Sequence, residues 1–117
     1  MNKRWLKSYP TGIKEEIELG QYNSVADLIE KSMKNFSDKT AFSCMEESLK
    51  FSELEETSRH IGSYLLKNLG LNKGDRVAVM MPNILQNPTC IYAILRSGLT
   101  VVNINPLYTA RELRLQL

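Results

Sequence analysis

The sequence predicts an α/β fold organised around one βαβ unit, on three observations. First, two Val-rich runs, 76–81 (RVAVMM) and 99–104 (LTVVNI), show no alternation of polar and apolar residues. That is the pattern of strands in a parallel sheet covered on both faces. Second, the segment 84–97 between them is long enough for the crossover helix that parallel strands require, and the crossover is expected to be right-handed. Third, the punctuation fits. Gly74-Asp75 is a turn signal before the first run, and Pro82-Asn83 ends it because proline cannot donate to a central ladder. Gly98 stands where a helix C-terminus favours a left-handed residue, with Arg96 in the last turn to complement the helix dipole. The helix start has two readings. Asn87 could cap it, with Pro88 at the first helical position, or Asn83 could cap it, with a hydrogen bond lost at Pro88.

Residues 1–23 read as an N-terminal arm in which Trp5, Leu6 and Tyr9 interleave with Lys3, Arg4 and Lys7. One reading is a surface anchor, with aromatics at a lipid interface and cations on anionic headgroups. The simpler reading packs Trp5 and Tyr9 against the body of the protein. Ser24 then opens a helix over 24–36, with Asp27 in the position of a capping-box partner. Val25, Leu28, Ile29, Ser32, Met33 and Phe36 fall at helical spacing on one stripe. A short hairpin over 40–51 is expected to turn at Glu46-Glu47-Ser48. That glutamate pair could be imagined as an acid/base couple, but a solvated turn accounts for it more simply.

Ser52-Glu-Leu-Glu55 is a capping-box pattern opening a helix over 52–69. Its expected buried stripe is Leu54, Ser58, Ile61, Leu65 and Leu69, with Gly62 permitting a close approach. Gly70 is the expected C-terminal glycine and Leu71 its hydrophobic contact. His60, the sole histidine, shares the wet face with Glu53, Glu56 and Lys67. Thr109-Ala-Arg-Glu112 is a further capping box, with Leu113 and Leu117 on one side of the helix it opens. The pattern stops there without a cap, and a two-stranded parallel sheet has open edges. Both features predict a piece of a longer protein.

Composition narrows the function classes. Of 117 residues, 43% are hydrophobic and 24% charged, as expected for a packed domain rather than disorder. Fifteen Lys+Arg against thirteen Asp+Glu give a net charge of +2, too balanced to indicate nucleic acid. No apolar run reaches membrane-spanning length, and the N-terminus has no apolar h-region of a secretory signal. Cys44 and Cys90 are expected to be reduced, buried thiols.

A search for chemistry finds no GxGxxG after a strand, no GxxxxGK[ST] loop, no GxSxG elbow and no metal-ligand spacing. The loops after the two strands lie where open α/β sheets bind ligands. Asn83, Asn105 and Tyr108 could therefore face a pocket. The plainer alternative is that the asparagines cap turns and Tyr108 packs.

The order of landmarks carries a resemblance. The string KGDRVAVMMPN at 73–83, LRSG at 95–98 and VVNINPLYTAREL at 101–113 are similar to the N-terminal part of adenylate-forming acyl-CoA synthetases. More narrowly they resemble bacterial long-chain fatty acid–CoA ligases, as does the opening pattern of Trp5, Tyr9, Pro10 and Gly12. The similarity covers essentially the whole chain. Ala110 stands where close relatives often have proline, which weakens only the preset start of that helix.

The resemblance implies a parent enzyme that uses ATP and Mg2+ to convert a fatty acid into an acyl-adenylate, which the thiol of coenzyme A then attacks. The family's phosphate loop and C-terminal lysine have no counterpart here. Residues 24–117 are thus expected to be an incomplete start of the large N-terminal domain. The chain alone is expected to be inactive, with no catalytic, cofactor-binding or metal residue and no bound cofactor. Its expected location is the cytoplasm, with peripheral contact at the inner face of the membrane as a further option, and the piece alone is expected to be marginally stable or to self-associate. Competing readings are an aryl- or medium-chain-CoA ligase, an amino-acid-adenylating domain, or a stand-alone interaction module.

Overall fold

A computed structural model describes residues 3–117; Met1 and Asn2 of the arm lie outside the described residues. After a 3-10 turn at Arg4–Ser8 come α1 (Val25–Asn35), the hairpin strands β1 (Thr40–Cys44) and β2 (Glu47–Lys50), and α2 (Phe51–Lys67). Then follow β3 (Arg76–Val79), α3 (Gln86–Arg96), β4 (Thr100–Asn103) and α4 (Ala110–Gln116).

The βαβ unit forms as expected. β3 and β4 pair in parallel with Val77 opposite Val101 and Ala78 opposite Val102. The strands are shorter than the apolar runs, because Met80, Met81, Leu99 and Ile104 fall outside them. Leu99 and Ile104 are nevertheless buried, and the Ile104 N–H still donates to the Val79 carbonyl at 2.9 Å. Coverage differs from expectation. Val79 is buried and Val77 and Val101 pack on the core, whereas Ala78 and Met80 on the opposite side are exposed. In this chain one face of the pair is covered, because the helices that pack on it, α2 and α3, lie on that side.

α3 begins at neither asparagine considered from sequence. Leu85 occupies the cap position and Pro88 is the third helical residue, where the missing N–H leaves no intrahelical bond unmade. The Asn87 amide instead donates to the Met81 and Pro82 carbonyls, each at 3.2 Å, tying the helix start to the end of β3. Gly98 adopts φ +72° after the helix, in the left-handed region expected for it.

α1 opens as expected, with Ser24 Oγ accepting from the Asp27 N–H at 3.1 Å. The return bond reaches one residue further back, from Asn23 N–H to Asp27 Oδ2 at 3.0 Å. Of its apolar stripe only Ile29 and Met33 are buried; Val25, Leu28 and Phe36 are exposed. The hairpin turns at Met45-Glu46, one residue before the expected position, with Glu47 and Ser48 already in β2. Met45 holds φ +57° and is exposed. Glu46 and Glu47 are both exposed, as a solvated turn requires.

The Ser52 capping box is not used. α2 starts directly from β2 at Phe51, where Glu53 accepts the Lys50 N–H at 2.8 Å and the Ser52 N–H donates to the Ser37 carbonyl. The hairpin itself sets the helix entry, so the cap position moves back by two residues to Lys50, and only the Glu53 half of a box forms. At the other end Leu69 is exposed, outside the helix, while Gly70 (φ +67°) and Leu71 close it as expected. His60 lies on the exposed face.

Two cores result. Leu65, Val79, Ile94 and Leu99 form one, between α2, α3 and the parallel pair. Ile29, Met33 and Leu54 form the other, between α1, α2 and the hairpin, joined by Tyr92 and Leu95 of α3. Burying a residue such as Leu54, 0% exposed, contributes about 2 kcal/mol. α3 thus serves both cores, and its close contact with α2 centres on Gly62. A Cβ there would stand 2.5 Å from Ser97 Oγ and 3.2 Å from the Ala93 carbonyl oxygen. Beside this crossing, the Arg96 guanidinium, 12% exposed, donates to the Glu55 carbonyl (2.9 Å) and Ser58 Oγ (3.0 Å) and pairs with the Glu55 carboxylate (3.3 Å). Ser58 Oγ donates in turn to the Glu55 carbonyl. This is a partnered charge in a nearly dry place, not merely a dipole complement.

Three outcomes follow from these contacts. Gly62→Ala should lower unfolding free energy by about 1–3 kcal/mol in urea titration, and Ser97→Ala in the same chain should restore part of the loss. Asn87→Ala, which removes two bonds to the end of β3, should cost about 1–2 kcal/mol. Asn83→Ala should stay within about 0.5 kcal/mol. The caps carry a pH dependence. Asp27 is held below the ordinary carboxylate range by the Asn23 N–H and by Lys31, and Glu112 by the Thr109 N–H and hydroxyl. Because both folded values are depressed, their contribution is complete above roughly pH 5, clear of both ordinary values, and fades as pH falls through the depressed values. Amide shifts of 24–27 and 109–112 in an acid NMR titration should report that loss, and Asp27→Asn and Glu112→Gln should flatten it.

Candidate functional site

The C-terminal ends of β3 and β4 open onto a depression of about 730 Å3. Parallel strands leave their carboxyl ends on one side, and the two following loops diverge from there, which is why open α/β sheets carry their ligand crevices at this edge. Val79, Met81, Ile91 and Ile104 line it with apolar surface, and Asn83, Asn87, Asn103, Asn105 and Tyr108 supply its polar groups.

All three residues singled out from sequence are brought together here. Asn83, Asn105 and Tyr108 line the same depression and all are exposed. The turn-capping alternative holds for one of them: Asn105 Oδ1 accepts the Leu107 N–H at 3.0 Å, and its carbonyl accepts the Tyr108 N–H at 3.0 Å. Asn83 contributes its backbone, accepting from the Cys44 thiol at 3.3 Å. Tyr108 is 38% exposed, so it does not pack away.

Asn87 and Asn103 were not singled out as site residues. Asn87 reads as a cap beside Pro88, and Asn103 reads as a strand residue. Asn103 reaches this edge from the end of β4 and Asn87 from the first turn of α3. The Asn103 carbonyl also accepts the Gln116 side-chain amide at 2.9 Å, the bond that ties α4 to the end of β4. Thr109 and Glu112 cap α4 reciprocally, as expected: the Thr109 N–H donates to Glu112 Oε2 at 2.8 Å.

Carboxamides and a phenol can orient a ligand by hydrogen bonds. The carboxamides carry no charge, so they do not neutralise phosphate charge. Among the described residues no group of three or more His, Cys, Asp or Glu is placed to hold a metal ion. A second, mainly apolar depression of about 300 Å3 lies between α2 and α3, lined by Leu49, Ile61, Leu85, Thr89 and Cys90. Burial pushes the Cys90 thiol up, which keeps it protonated and a poor nucleophile. Both cysteines are free, as expected, but half-buried rather than buried.

Relatives with this arrangement are recognisable. The long-chain-fatty-acid–CoA ligase of Escherichia coli O157:H7 is 50% identical over all 117 residues, which make up 21% of that enzyme. The Haemophilus influenzae ligase of the same name is 45% identical over the same span and share. The chain therefore spans about a fifth of the length of the curated relatives it matches. Among solved structures, Klebsiella oxytoca NpsA in complex with 3-hydroxyanthranilyl-AMSN superimposes with a TM-score of 0.77 at 24% identity, covering 83% of this chain and 20% of that one. VinN in complex with 3-methylaspartate does so with a TM-score of 0.74 at 28% identity, over 80% of this chain and 26% of that one. The AMP-binding enzyme family itself matches residues 29–117. That span takes in both cores, the parallel pair and the depression at its carboxyl edge, and the chain belongs to the family of AMP-binding enzymes.

Proposed function

We propose that this chain works as the N-terminal scaffold of a long-chain fatty acid–CoA ligase. The parent reaction joins ATP, a fatty acid and coenzyme A into acyl-CoA, AMP and pyrophosphate by way of an acyl-adenylate. A carboxylate is a poor electrophile, and the mixed anhydride with AMP supplies a good leaving group. The single observation that carries this reading is 45–50% identity to ligases of that name along the full 117 residues. The aryl- and medium-chain alternatives find no comparable support, since the medium/long-chain Mycobacterium marinum ligase is 29% identical over 91 residues.

Residues 24–117 are read as the start of the large N-terminal domain, following an arm at 1–23. No catalytic, nucleotide-binding or metal residue is assigned to this chain, and the uncharged carboxamides at the carboxyl edge would not neutralise the charge of ATP phosphates. Its part is to hold the βαβ unit and the edge against which the rest of such an enzyme is built. The exposed side of β3 and β4, with Ala78 and Met80, and the two open strand edges favour self-association of the chain alone. A cytoplasmic location is part of this proposal; among the described residues no helix is long and apolar enough to cross a membrane.

The decisive assay compares two proteins supplied with ATP, Mg2+ and coenzyme A across a panel of acids. The reading frame continued past Leu117 should release AMP with long-chain acids in preference to aryl acids, while the 117-residue chain should release none. Turnover by the 117 residues alone, or an aryl preference in the longer protein, would overturn the proposal.

A further inference from the structure

α2 and α3 do not close on each other along their whole length. They meet tightly where Gly62 faces Ala93 and Ser97. Towards the first turns of α3 they part, and the mainly apolar depression of about 300 Å3 opens there. Its walls belong to both cores. Ile61 and Cys90 pack on the cluster of Leu65, Val79, Ile94 and Leu99, and Leu49 packs on that of Ile29, Met33 and Leu54. The depression is thus the seam that the two cores leave unfilled. Leu49, Ile61, Leu85 and Cys90 are all half-buried there, so each keeps apolar surface in contact with water. Thr89 offers no free donor, because its Oγ1 donates to the Leu85 carbonyl at 2.9 Å. The exposed Thr57 and Gln86 bring a hydroxyl and a carboxamide. Among the described residues no charged side chain lines the seam.

We infer that this seam binds a single aliphatic chain with an uncharged hydrogen-bonding head, the chemical class of the fatty alcohols. Size, polarity and rigidity select that occupant. A space of about 300 Å3, at roughly 30 Å3 for each water-sized group, holds on the order of ten heavy atoms. Seven residues line it, far short of the roughly 20–30 on each side of a stable protein interface, so neither a partner protein nor a second copy is its occupant. A charge drawn against the apolar walls would lose its water without finding a partner. Thr57 and Gln86 suit a head that exchanges hydrogen bonds instead. The close crossing at Gly62, next to Ile61, sets the spacing of the two helices before any ligand arrives, so little ordering opposes binding. Burial pushes the Cys90 thiol up, as a poorly hydrated wall requires. The inference goes beyond the ligase reading and does not rest on it. A fatty acid is a carboxylate at neutral pH, the head that this lining disfavours.

Cys90 lies in the wall, so its thiol reports on occupancy. Cys44→Ser leaves it the sole cysteine of the chain. Its reaction with a chromogenic disulfide is then followed as 1-alkanols from 1-hexanol to 1-tetradecanol are added. Occupancy should slow the reaction by at least about fivefold, since access controls thiol–disulfide exchange. Affinity should rise by up to about fourfold for each added methylene and level off near 1-decanol, where the seam is full. Decanoate and decyltrimethylammonium should bind at least about tenfold more weakly than 1-decanol. Thr57→Trp sets an indole at the mouth from an exposed position on α2, and Gln86→Trp does so from α3. Each should abolish 1-decanol binding in isothermal titration while circular dichroism shows the fold unchanged, and either one suffices if the other disturbs its helix. The inference is refuted by a thiol that 1-decanol does not slow, or by affinity that keeps climbing beyond 1-decanol as in bulk partition. Equal binding of decanoate, or full binding by a folded tryptophan variant, refutes it as well.

Discussion

The crossing of α2 and α3 at Gly62 is the contact on which the rest of the fold depends. Without a Cβ at residue 62, the backbone of α2 comes within reach of Ala93 and Ser97. That approach lets one helix serve two cores at once. On one side Ile94 meets Leu65, Val79 and Leu99; on the other Tyr92 and Leu95 reach the cluster of Ile29, Met33 and Leu54. A helix held further away would leave both cores under-packed, since interiors tolerate few voids.

The same crossing explains the Arg96 cluster. A guanidinium placed against α2 has lost most of its water and must find fixed partners. Glu55 and Ser58 supply a carboxylate, a carbonyl and a hydroxyl within 3.3 Å. The carboxylate of Glu30 on α1 stands 3.7 Å away, so three helices converge on one cation. Its value lies in orientation more than in net energy, because desolvation offsets much of the attraction.

Held in this way, α3 delivers the two strands in parallel and collects five polar side chains at their carboxyl edge. Four of the five are uncharged carboxamides. Asn105 closes its own turn and Asn87 braces the end of β3.

Much of this was legible before any coordinates. Glycine at 70 and 98, the Ser24 and Thr109 caps, the parallel pairing of two unbroken Val runs and the wet face carrying His60 are local or periodic signals, and local physics settles them. The family likeness was legible too, because strings such as KGDRVAVMMPN keep their order along the chain. Other features needed the folded chain. Phe51 reads as a strand residue until the hairpin turns straight into α2, and Asn87 reads as a cap until the end of β3 lies beside it. Leu69 and Phe36 match the helical period yet stay exposed, because a stripe records which side could be buried and only neighbouring elements decide how far burial extends. The partners of Arg96 lie some forty residues away in sequence. No periodicity encodes a contact of that separation, and it exists only once two helices cross.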